Sequence, residues 1–125
     1  MSNVPLIAIV DDDESFRQAT VRFIRSLGYT TAAFASAEAF LHSDCNYNID
    51  CLITDVQMPG MTGIQLQSRL IEQGRNLPII FVTAFSEMKT RGRALAAGAI
   101  GFLDKPFSDE KLITYLNQAL ASRGA

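Results

Sequence analysis

Histidine occurs once in this sequence, at His42, and cysteine only twice, at Cys45 and Cys51. A lone histidine leaves no imidazole pair for a metal and no His-based triad; His42 reads as a helix-surface residue. The two cysteines match no usual zinc spacing. Cys51 opens an apolar run and reads as a buried thiol, whereas Cys45 lies in a polar loop. Nothing in Met1–Pro5 supplies the basic stretch and long apolar run of a secretory signal. The chain therefore reads as cytoplasmic, where a Cys45–Cys51 disulfide is disfavoured. No apolar run approaches the ~20 residues that span a bilayer. A formal net charge of −2 leaves no basic excess for direct nucleic-acid binding. Repeats, low-complexity tracts and linkers are also missing, so residues 1–125 read as one domain, with Ala121–Ala125 as its only tail.

What is present is apolar and periodic. Hydrophobic residues make up 48% of the chain, enough for a core without disulfides or a structural metal. Five short apolar runs alternate with five helical patterns. The runs are Leu6–Val10, Thr30–Phe34, Cys51–Thr54, Ile79–Thr83 and Ile100–Leu103. The second is the least apolar and reads as an edge strand. Helical spacing places Phe16, Ala19, Phe23 and Leu27 on the first helix's buried stripe, with Gly28 as its stop. Ser36 caps a short helix containing Phe40 and Leu41, and Leu66, Leu70 and Ile71 line the third. The fourth, from about Glu87 to Ala97, has a thin stripe of Met88, Ala94 and Leu95, and carries Lys89, Arg91 and Arg93. Ser108 caps the fifth, where Phe107 and Leu112 form a hydrophobic staple and Leu112, Ile113, Leu116 and Leu120 make the stripe. Continuous apolar strands alternating with helices predict a parallel sheet covered on both faces, an α/β doubly wound fold.

Ligands in such sheets bind outside the carboxyl ends of the strands. The first strand ends in Asp11-Asp12-Asp13, the third in Asp55 and the fourth in Thr83; Asp104 and Lys105 follow the fifth. Carboxylates from adjacent strands repel one another unless a cation intervenes. An all-oxygen set suits Mg2+ or Mn2+ rather than zinc. Carboxylate, hydroxyl, lysine and hard cation together form a set for handling phosphoryl groups: a carboxylate attacks phosphorus, and the cations neutralise the oxygens. Singly, each residue has a plainer reading. Asp13 reads as a helix cap, Asp55 as a turn residue, Thr83 as a strand residue, Lys105 as a surface lysine and Phe102 as core.

The segments Val10-Asp11-Asp12, Thr54-Asp55-Val56-Gln57-Met58-Pro59-Gly60, Val82-Thr83-Ala84 and Phe102-Leu103-Asp104-Lys105-Pro106-Phe107 jointly resemble response-regulator receiver domains of two-component systems. The likeness covers essentially the whole chain. It implies a five-stranded parallel sheet of order 2-1-3-4-5. It further implies Asp55 as phosphoacceptor, with Mg2+ held by Asp12, by Asp11 through water, by Asp55 and by the Gln57 backbone carbonyl. Thr83 and Lys105 would contact the phosphoryl group, Lys105-Pro106 would be cis, and Phe102 would be the switch aromatic beside Thr83. The implied partner is a histidine kinase or phosphotransfer protein. The implied output face is the fourth helix, fifth strand and fifth helix, which also offers a homodimer surface. On this reading the domain is no enzyme beyond its own phosphorylation and dephosphorylation. It is either a complete single-domain regulator or the receiver of a longer, DNA-binding one.

Two rivals share the fold. A flavodoxin-type ligand module would need a loop rich in Gly, Ser and Thr after the first strand, where three aspartates stand instead. An aspartyl phosphatase would carry a second acid two residues after its nucleophile, where this chain has Gln57. Gln57 and Phe85 flank the site as candidates for tuning an acyl phosphate's lifetime.

Overall fold

The side chains of each strand divide between two cores. Ala8, Val10, Leu52, Ile79 and Phe81 pack on one face of the sheet, while Ile7, Ile9, Ile53, Ile80 and Val82 pack on the other. Successive strand residues point to opposite faces, so a strand buried on both sides must be apolar throughout. The computed structural model describes residues 4–44, 48–84 and 87–124; Cys45 and Phe85 lie outside the described residues.

Among the described residues the order is β1 (Leu6–Val10), α1 (Glu14–Ser26), β2 (Thr30–Phe34), α2 (Ala37–Leu41), β3 (Cys51–Thr54), α3 (Gly63–Glu72), β4 (Ile79–Thr83), α4 (Met88–Ala96), β5 (Gly101–Asp104) and α5 (Asp109–Gly124). All strand pairs are parallel, in the order β2-β1-β3-β4-β5. β2 is indeed an edge. Phe40, Leu66, Leu70 and Ala94 cover one face of the sheet, bringing α2, α3 and α4 onto it. Ile24, Leu112, Leu116 and Ala119 bring α1 and α5 onto the other.

Local chemistry fixes the helix starts. Asp13, Ser36 and Thr62 accept the N–H of Phe16, Ala39 and Gln65 respectively. Gln65 returns the favour to the Thr62 N–H, completing a capping box. Gly28 closes α1 with φ +97°, a conformation that costs glycine nothing.

Several expected stripes are shifted. On α1, Ala19 is exposed, and Thr20 and Ile24 take the buried positions. Thr20 is tolerated there because its hydroxyl donates to the Phe16 carbonyl at 2.9 Å. Ile71 of α3 is half exposed, and Met88 and Leu95 leave α4 with Ala94 alone buried. On α5, Ala119 is buried while Ile113 and Leu120 are only partly covered. Residues 121–124, expected as a tail, continue α5. Phe107 packs against the core that holds Leu112, but its ring partners are Phe16 and Phe23. Cys51 is buried, as its place in an apolar run requires.

Candidate phosphoryl site at the strand ends

Three strands deliver the site through backbone bonds that extend their ladders. The Asp11 N–H donates to Phe34 O at 3.1 Å, and the Asp55 N–H to Val10 O at 3.0 Å. The Lys105 N–H donates to Thr83 O at 2.9 Å. Each of these candidate residues is thus held by the rigid sheet, although its side chain projects beyond it.

Lys105 is the hub. Its Nζ lies 2.8 Å from Asp11 Oδ2 and 3.0 Å from Asp55 Oδ2. Its ammonium also stands 4.3 Å above the centroid of the Phe16 ring. Asp11 and Asp55 are 3% and 7% exposed, so these are largely desolvated charges and their pairing is obligatory. Asp11 Oδ1 accepts the Asp13 N–H at 2.9 Å, and Asp55 Oδ1 accepts the Gln57 N–H at 3.2 Å. Asp12 is exposed, and one oxygen each of Asp11, Asp12 and Asp55 lie within 4.8 Å of one another. Three hard oxygens at that separation fit a divalent cation of the Mg2+ class.

The electrostatics follow from the crowding. Burial pushes the Asp11 carboxyl above its ordinary 3.8; hydrogen bonds from Lys105 and the Asp13 N–H oppose the rise, and the Asp55 charge adds to it. Burial alone would depress Lys105, but its bonds to Asp11 and Asp55 outweigh that and hold it above 10.5. The ammonium is therefore fixed in its charged form beside the two acids.

Thr83 is fully buried at the end of β4. Phe102, 3% exposed, sits inward with its ring centroid 5.9 Å from that of Phe81. The Lys105-Pro106 bond is cis. The carboxylates of Asp11, Asp12 and Asp55 and the Lys105 ammonium thus gather at one sheet edge, while Thr83 ends β4, Phe102 lies in the core, and Gln57, expected there through its backbone carbonyl, is exposed.

Four supporting residues escaped the sequence reading. Arg17 Nη1 donates to Asp11 O at 2.7 Å, and Phe16 faces Lys105. Glu38 of α2 accepts the Met61 N–H at 3.0 Å, fastening the loop after Asp55 from outside. Gly63 is required by close approach, because a Cβ there would lie 2.1 Å from Asp55 O. Position three residues after the Pro59-Gly60 turn was the only sequence signal for Gly63; Phe16 and Glu38 meet partners on distant elements, and the Arg17 contact, though only six residues from Asp11, follows no pattern that marks it.

Comparison with known proteins agrees with this fold. The profile of the response regulator receiver domain matches residues 7–117. The response regulator protein TmoT of Ectopseudomonas mendocina is 40% identical over 115 residues, 92% of this chain and 52% of that protein. The solved response regulator StyR superposes with TM-score 0.85 at 38% identity, covering 95% of this chain and 60% of that one. The signal receiver domain of an HD domain-containing protein from Pseudomonas fluorescens Pf-5 gives TM-score 0.89 at 27% identity, with 98% of both chains covered. The chain spans about half the length of the curated relatives it matches. No helix among the described residues is long and apolar enough to cross a membrane.

Proposed function

Because this chain belongs to the response regulator receiver domain family of two-component signalling, we propose that Asp55 accepts a phosphoryl group and that the resulting charge switches the domain. One observation carries the reading: Asp55 and Asp11, from adjacent strands, share the Lys105 ammonium at 3.0 and 2.8 Å. Two buried acids and a cation at a sheet edge are an arrangement that a dianionic group, with its own cation, can enter and reorganise.

The donor would be the phosphohistidine of a histidine kinase or phosphotransfer protein. Asp55 Oδ attacks phosphorus, an O–P bond forms, and the P–N bond breaks with its electron pair leaving on the imidazole. Asp11, Asp12, Asp55 and the Gln57 carbonyl would hold Mg2+ or Mn2+, which when bound supplies positive charge to the transferring oxygens. Lys105 stays protonated and moves from Asp55 toward a phosphoryl oxygen; the Thr83 hydroxyl donates to another. No residue here is needed as a general acid, since transfer rests on positioning and electrostatics. Gln57 in place of a second acid gives no catalyst for repeated hydrolysis, so the domain acts on itself and is not a turnover enzyme.

Movement of Thr83 would be read by Phe102. Its inward seat against Phe81 is already built. Phosphorylation would hold the ring there and restrain α4 and β5 in one arrangement, a bistable element biased by a local charge. The face of α4, β5 and α5 would then serve output or homodimer formation. Regulators such as the transcriptional regulatory protein FixJ of Bradyrhizobium diazoefficiens, 32% identical over 114 residues, suggest a DNA-binding output outside residues 1–125, with this single receiver domain cytoplasmic and making no nucleic-acid or membrane contact itself.

The test is intact mass after incubation with Mg2+ and acetyl phosphate. One added phosphoryl group is expected, absent from Asp55→Asn and from a chelator-treated sample. An adduct that survives Asp55→Asn would place the chemistry elsewhere. Failure to take up both acetyl phosphate and beryllofluoride would overturn the reading.

A further inference from the structure

Among the described residues, the Lys105 ammonium meets two carboxylates and a ring face: Asp11 at 2.8 Å, Asp55 at 3.0 Å and Phe16 at 4.3 Å. The first two cannot persist through the reaction proposed above. Asp55 becomes an acyl phosphate, and Asp11 turns to the divalent cation. The Phe16 ring carries no formal charge and has no other role in that chemistry. It is the neighbour whose attraction for the ammonium is the same before and after transfer.

The ring is also braced. Phe107, two residues beyond Lys105, meets Phe16 at 5.8 Å with an interplanar angle of 89°. Phe107 in turn lies tilted on Phe23 at 6.1 Å. Phe23 and Phe16 are both on α1, so the chain segment after Lys105 folds back onto the helix that carries the ring. An edge-to-face aromatic pair has a preferred geometry as well as apolar area. A lysine stem is otherwise free to explore many rotamers, at an entropic cost of ~2 kcal/mol when fixed. A ring face beneath the ammonium narrows that search by electrostatic attraction to its quadrupole.

We infer that Phe16 is a positioning residue for phosphoryl recognition, its ring face keeping the Lys105 ammonium at the site while both carboxylate partners are exchanged. The inference rests on the phosphoacceptor reading and adds to it a residue of α1 that touches neither phosphoryl group nor metal.

The experiment uses the whole chain, with beryllofluoride and Mg2+ as probe and titration calorimetry as readout. It runs on the wild type, Phe16→Leu and Phe16→Tyr. Leucine keeps an apolar side chain against Phe107 but has no negative face; tyrosine keeps the face. Binding should weaken about fivefold in Phe16→Leu, the factor a partly desolvated cation–ring contact supports, and return in Phe16→Tyr. A second readout tests the contact itself. The chain has three lysines, Lys89, Lys105 and Lys111. Methylene protons held over a ring face resonate upfield, so the Lys105 ε-methylene should stand apart from the other two. Phe16→Leu should collapse that separation and Phe16→Tyr keep it, so the shift reports the contact, while the loss and rescue of beryllofluoride affinity report its role. Unshifted Lys105 resonances in the wild type, or Phe16→Leu binding as tightly as wild type, would overturn the inference while leaving the phosphoacceptor reading standing. Absence of beryllofluoride binding by the wild type would instead remove the phosphoacceptor reading, and this inference with it.

Discussion

Asp11 is held against its own preference. Burial raises its carboxyl above 3.8, and Lys105 and the Asp13 N–H only partly offset that. A carboxyl whose folded pKa is raised contributes stability that is fully present below its unfolded value. That contribution is lost as pH rises through the raised folded value. At neutral pH the ionised group is therefore a net burden on the metal-free fold. Asp11→Asn, which keeps an acceptor for the Asp13 N–H, should stabilise the metal-free protein by about 1 kcal/mol at neutral pH, within the range of single stabilising substitutions. The gain should shrink as pH falls toward 3.8. Urea unfolding of both proteins across pH checks this; a destabilised Asp11→Asn at neutral pH would mean that the Lys105 pair outweighs burial. The same residues show how far the sequence could be read. Asp11, Asp55, Thr83 and Lys105 were legible because each ends or follows an apolar run, and a parallel sheet brings such ends together. Arg17 and Phe16 were not. Helical spacing marks Phe16 as apolar and Arg17 as polar, but neither pattern records that a lysine from β5's end comes to rest on that ring.

At the scale of elements, α4 is the least anchored of the five helices. Ala94 is its one buried residue, and Met88 is 91% exposed. It is tied to α3 by Gln67, itself buried, whose Nε2 donates to Ala94 O at 3.0 Å. That carbonyl also accepts the Ala99 N–H at 3.0 Å, so removing the amide leaves no orphaned acceptor. Gln67→Ala should cost about 1–2 kcal/mol through the lost bond and the space left behind. Amide exchange across Met88–Ala96 should quicken about tenfold, with the central strands less affected. Equal quickening throughout the chain would show that α4 does not open as a separate unit. The sequence announced the thin stripe of α4, and the structure makes it thinner still. It could not announce Gln67, because a buried amide looks like a surface residue until its partner carbonyl is known. Thr20 misled in the same way: its hydroxyl is satisfied within α1, so a polar letter occupies a core position and Ala19, the apolar letter beside it, faces out.

For the whole molecule, the sheet divides two cores and the acidic site crosses its edge, with Asp11 and Asp55 on neighbouring strands. A cation bound there would tie β1 to β3 and stabilise only the folded chain. At a Mg2+ concentration near one hundred times its dissociation constant, linkage adds about 2.7 kcal/mol. For a domain of this size that corresponds to a rise in Tm of about 10 °C. The rise should be lost in Asp55→Asn and small in Asp11→Asn, which already begins higher. Thermal melts with and without Mg2+ decide it; an unchanged wild-type Tm would argue against a Mg2+ site here. The fold was the most legible layer, because continuous apolar strands admit few arrangements, whereas the strand order came from family likeness and not from any pattern in the strands.

The contact between Gly63 and Asp55 leaves no slack in the machine. Where another residue would place a Cβ only 2.1 Å from Asp55 O, the backbone of α3's first residue bears directly on the backbone of the proposed phosphoacceptor. The Gly63 N–H is pinned as well, to Val56 O at 2.8 Å. No side chain lies between them to take up play by changing rotamer. Were Asp55 to gain the proposed charge, even a small displacement of it would therefore be handed on as thrust to a helix of ten residues. Interiors this tightly packed transmit strain because they cannot absorb it.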